Sequence, residues 1–95
     1  MLREMMTEIP KENEYAFLTY YRMLTANQLQ LLKAIAHKGT VAEINASSFI
    51  KQFNLKGASS VNTALKFLLE KELVLKEPEG YIVYDRFFAM WLKLL

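Results

Sequence analysis

The side chains best placed to do chemistry lie in the stretch Ser59-Ser60-Val61-Asn62-Thr63-Ala64-Leu65-Lys66, with Lys56 just upstream. Hydroxyl, amide and ammonium groups at the start and on the outward side of a helix are the groups that reach phosphate oxygens and base edges. Lys56, Ser59, Ser60, Asn62, Thr63 and Lys66 are therefore candidate nucleic-acid-binding residues. A solvated helix start, capped by Ser59 or Ser60, uses the same residue types. Two features weigh against a DNA groove. The segment has no arginine, although arginine to guanine is the commonest specific base contact. Downstream, Lys76-Glu77-Pro78-Glu79 sets two carboxylates where phosphates would have to approach.

Other chemistries lack their parts. The chain has no cysteine and one histidine, His37, too few ligands for zinc and no partner set for a Ser/His/Asp triad. Glu77 and Glu79 sit one residue apart in a turn signal, a poor setting for paired carboxylate catalysis. Asn45-Ala46-Ser47 matches the glycosylation pattern, but the MLREMM start lacks the apolar core of a secretory signal. Gly39, Gly57 and Gly80 are the only glycines, so no phosphate-cradling G-x-x-x-x-G-K-[ST] loop can form. No catalytic residue, cofactor or metal is expected.

A second set of candidates is apolar. Phe87, Phe88, Ala89, Met90, Trp91, Leu92, Leu94 and Leu95 are interrupted only by Lys93, so a helix there is apolar on almost every side. Such a helix must be covered on more than one face. The leader adds Tyr15, Phe17, Leu18, Tyr20 and Tyr21. Tyr15, Leu18, Tyr21, Phe67, Phe88, Trp91 and Leu95 are therefore candidate interface residues, facing a second copy or another domain.

These residues need elements to hold them. Thr25 and Gln28 have capping-box spacing, and Leu29, Leu32, Ile35 and Ala36 follow at helical intervals up to Gly39, a helix stop. Val41 to Ile44 is a short extended piece. Asn45 is expected to cap a second helix with Phe49, Ile50 and Phe53 inward, closed by Asn54. Leu55-Lys56-Gly57 makes a tight turn into a third helix, from about Ala58 to Lys71, whose buried stripe is Val61, Ala64, Leu65, Leu68 and Leu69. Leu73-Val74-Leu75 and Tyr81-Ile82-Val83-Tyr84 flank Pro78-Glu79-Gly80 as a hairpin. Asp85 caps a last helix. Before Thr25, Tyr15, Leu18, Tyr21 and Met23 point to a helix of about three turns, beyond an interruption at Pro10.

Helix, extended piece, helix, tight turn, helix and hairpin is the order of a winged helix-turn-helix, mainly α with one small β-hairpin. The division expected is a helical leader over 1–24 and the winged helix over 25–95, with extra helices at both ends. Composition agrees: 95 residues make one domain, and 53% hydrophobic with 23% charged suits a packed core. Net charge is only +2. Residues 25–72 hold six lysines against three glutamates, after a leader with three basic and four acidic residues. That balance permits DNA binding without requiring it. With no apolar run near the ~20 residues of a membrane span, a cytoplasmic location is expected.

Leu24–Gly39, Leu55–Val74 and Gly80–Leu92 together resemble the C-terminal winged-helix domain of prokaryotic AAA-type P-loop ATPases of archaeal and Bacteroides type. Ala58-Ser59-Ser60-Val61 and Tyr84-Asp85-Arg86-Phe87-Phe88 are the most specific parts. The resemblance implies a non-catalytic module that follows a motor domain, here missing, and makes interdomain or protein–protein contacts. Its partners would be that motor domain or a second copy in a homodimer, with weak, non-specific duplex DNA binding as the alternative.

Overall fold

The computed structural model describes residues 11–95. Five helices and one hairpin follow in order: α1 (Lys11–Met23), α2 (Ala26–Lys38), α3 (Ser47–Gln52), α4 (Ala58–Glu70), β1 (Val74–Glu77), β2 (Gly80–Val83) and α5 (Arg86–Lys93). Pro10 and the MLREMM start, on which the leader's interruption and the missing signal were read, lie outside the described residues.

Local chemistry sets most of the boundaries. The capping box of α2 forms as its spacing requires: the Gln28 amide donates to Thr25 Oγ1 at 3.2 Å, and the Thr25 amide donates to Gln28 Oε1 at 2.9 Å. Gly39 ends the helix with its own N–H on the Ile35 carbonyl, 2.8 Å. Asp85 Oδ1 accepts from the Phe87 and Phe88 amides and so opens α5. Asn54 takes a left-handed φ of 56° after α3, as expected of an asparagine terminator. The start of α3 differs from expectation. Its N-cap is Ala46, with no side-chain cap, because Ile44 and Asn45 are spent in a turn that brings the Ala46 amide to the Glu43 carbonyl. Neither Ser59 nor Ser60 caps α4, whose N-cap is Gly57.

The core is built around α2. Leu31, Leu32, Ala34, Ile35 and Ala36 are all buried, a wider face than the stripe read from spacing, while Leu29 is only half-buried. The cause is that α2 is covered on separate sides by α4, by α5 and by β2. From α4 come Val61, Ala64, Leu65 and Leu68, from the hairpin Val74 and Val83, and from α5 Phe88 and Leu92. Leu69, Ile50 and Phe53 lie at the margin, half-buried. Full burial of a Leu, Ile or Phe side chain is worth roughly 1.5–3 kcal/mol, so this shared cluster dominates stability.

β1 and β2 pair antiparallel, with Val74 opposite Val83 and Glu77 opposite Gly80. The extended piece after α2 reduces to one bridging residue, Val41, which exchanges both backbone hydrogen bonds with Tyr81 at 3.0 and 2.9 Å. That exchange ties the wing to the end of α2.

Candidate functional site

The outward face of α4 holds the polar residues expected there. Ser59, Asn62, Thr63 and Lys66 are exposed, Ser60 is half-buried, and Lys56 is exposed in the turn before the helix. The Thr63 hydroxyl donates to the Ser59 carbonyl at 3.1 Å, which occupies its proton and leaves its oxygen free to accept. Folding adds partners that spacing did not assign. The first turn of α2 lies alongside α4, so Thr25, Asn27 and Gln28 join Ser59, Ser60 and Thr63 around a hollow of about 310 Å³. Asn27 and Gln30 also approach Lys56 and Ser60. Two polar amides at i and i+3 outside the apolar stripe of α2 were the only sequence signal for this. The result is rich in hydrogen-bonding groups, with Lys56 and Lys66 the cations of α4 and the turn before it and Lys33 beside Gln30 on α2. The wing tip, Lys76-Glu77-Pro78-Glu79, is exposed, and the Lys76 ammonium sits over the Tyr81 ring at 5.3 Å. Both wing carboxylates therefore face solvent.

The apolar candidates divide between core and surface. Phe88 is 1% exposed and stacks on Phe17 with ring centroids 4.9 Å apart. It is a core residue of the monomer and not a surface anchor. Phe17, grouped with the leader's apolar surface, is itself buried at 2%. Phe17 of α1 thus covers the Phe88 side of α5, while Phe87 and Leu94 stay exposed. Trp91 is half-buried: Phe17 tilts against it at 5.7 Å and Tyr21 meets it edge-on at 6.1 Å. Phe67 is half-buried beneath the Lys71 ammonium, 5.8 Å from its ring. Tyr15 (73%), Leu18, Tyr21 and Leu95 remain exposed, joined by Tyr20, Met23, Phe87 and Leu94, so that among the described residues the large exposed apolar side chains, Tyr84 apart, belong to α1 and to α5 with the residues that follow it.

No group of three or more His, Cys, Asp or Glu comes together among the described residues, and none of their helices is long and apolar enough to cross a membrane. His37 stands in the last turn of α2, 6.4 Å from the Phe53 ring, in a helix-end position.

A helix pair joined by a tight turn, packed on a preceding helix and followed by a two-stranded wing, defines the winged helix-turn-helix class. The chain belongs to the family described as "Probable winged helix domain", matched over residues 15–94. No curated protein and no solved structure matches it.

Proposed function

We propose that this chain is a non-catalytic, cytoplasmic protein-docking module whose contact face is the side formed by α1 and α5. The observation that carries this reading is the exposure of Tyr15, Leu18 and Tyr21 on α1 and of Phe87 and Leu94 at the two ends of α5, with Tyr21 edge-on to the half-buried Trp91. Soluble chains seldom leave an apolar patch above a few hundred Å² uncovered unless something docks there. Aromatic anchors at such faces supply most of the binding energy. The resemblance of Ala58–Val61 and Tyr84–Phe88 to the winged helix of AAA-type ATPases supports a motor domain as the natural partner. In its absence the same face pairs with a second copy, two-fold symmetry being the commonest closure.

Light scattering across a concentration series tests this. The chain is expected to reach a dimer at ~100 µM and above, and Tyr15→Ser/Leu18→Ser/Tyr21→Ser to remain a monomer. A monomer throughout in the parent chain removes the pairing.

DNA binding is the second reading, favoured by the outward Ser59, Asn62, Thr63 and Lys66 on the helix that would enter a major groove. A submicromolar, sequence-selective duplex complex at about 0.15 M salt would put it first.

A further inference from the structure

On the other side of α5 lies a groove of about 490 Å³ between that helix, β2 and the end of α2. Its floor is apolar: Ala36, Ile82, Val83, Ala89 and Met90. Arg86 and Lys93 also line it, at the first and last positions of α5, and both are exposed. Their spacing of seven residues puts the two cations about 10 Å apart along the helix axis. No carboxylate is among the lining side chains. Asp85, next to Arg86 in sequence, is engaged with the Phe87 and Phe88 amides.

We propose that this groove docks an acidic amphipathic helix of a partner protein, with an apolar side chain on the floor and one carboxylate on each cation. Charge complementarity selects this occupant. A purely apolar segment would leave Arg86 and Lys93 without counter-charge, and a basic one would be repelled. The floor suits a helix side chain that needs an adaptable seat, because Met90 is unbranched and repacks easily. Two cations two turns apart match carboxylates at i and i+7 of a facing helix, with apolar residues at i+3 and i+4 between them. This site is separate from the aromatic face, so either can fail without the other.

The probe is a synthetic helical peptide with Glu at i and i+7 and Leu at i+3 and i+4, titrated into ¹⁵N-labelled protein. Shifts are expected at the Thr40, Ala89 and Met90 amides. Replacing both peptide glutamates by Gln, or making Arg86→Gln/Lys93→Gln in the protein, should each weaken binding at least ~tenfold. Both protein positions are solvent-facing, so the fold tolerates them, and a matching circular dichroism melt checks this. Lys51→Gln/Lys56→Gln and Tyr15→Ser/Tyr21→Ser should leave peptide affinity unchanged. The proposal is overturned by any of four results: no shifts at ~1 mM peptide, equal weakening by the Lys51/Lys56 control, shifts at the same amides on raising the concentration of the Tyr15→Ser/Leu18→Ser/Tyr21→Ser variant alone, or stronger shifts there with duplex DNA. The third would assign the groove to a second copy and the fourth to phosphates.

Discussion

Gly80 and Gly39 look alike in the sequence, each marking the boundary of an element, but the fold treats them differently. Gly80 has φ +143°, and a Cβ built on it would meet the Val41 backbone, lying 2.6 Å from its carbonyl carbon and 2.8 Å from the Ala42 nitrogen. Gly39 has φ +89° with nothing within 4 Å. Any side chain at Gly39 is strained by about 1–3 kcal/mol and no more. At Gly80 the same strain adds to a collision with backbone that cannot rotate away. Gly80→Ala is therefore expected to cost more than about 3 kcal/mol, enough to threaten a domain whose whole stability is about 5–15 kcal/mol. Urea unfolding of the two variants checks the order, and a larger loss for Gly39→Ala would mean the Val41–Tyr81 bridge is not the tether it is drawn as.

At the scale of elements, α1 and α5 depend on each other. The apolar α5 is not covered by α2 and the hairpin alone, and Phe17 fills part of the remaining face against Phe88 and Trp91. Truncating a buried phenylalanine costs about 3–5 kcal/mol when its surroundings cannot collapse. Phe17→Ala should release α1 locally, shifting Trp91 emission to longer wavelength, while amides around Leu65 and Leu68 keep their exchange protection. Unchanged Trp91 emission would show that α1 is held elsewhere. Element identities were legible from residue types because capping boxes, glycine stops and apolar spacing are local. The start of α3 was not: Asn45 is a good cap by type, yet the turn closing on Glu43 had already used its position.

Over the whole molecule, charge decides how strongly this winged helix can hold DNA. The outward face of α4 has Lys66, the preceding turn has Lys56, and the wing tip adds Glu77 and Glu79. With so few candidate phosphate contacts, any duplex binding is expected in the non-specific range of roughly 10⁻⁴–10⁻⁶ M at physiological salt. Anisotropy titrations at two salt concentrations should give a shallow dependence, flattened further by Lys56→Ala or Lys66→Ala for every duplex tried. A steep salt slope would instead mean that cations outside α4, such as Arg86 and Lys93, reach the backbone.

Residue order alone determined the helix-turn-helix and its wing, because helix periodicity, caps and turn residues act over a few neighbours. It also marked Leu32, Leu65 and Leu68 as core, and all three are buried. What it could not apportion was the surplus of apolar residues at the two ends. Phe88 and Phe17 are buried against each other while Tyr15 and Phe87 stay exposed, although all four are aromatic residues of α1 and α5. Likewise nothing in the spacing of Arg86 and Lys93 announced a groove, since most of its floor comes from α2 and β2. Which face of an all-round apolar helix is covered depends on where distant segments land. Only the packed chain decides that.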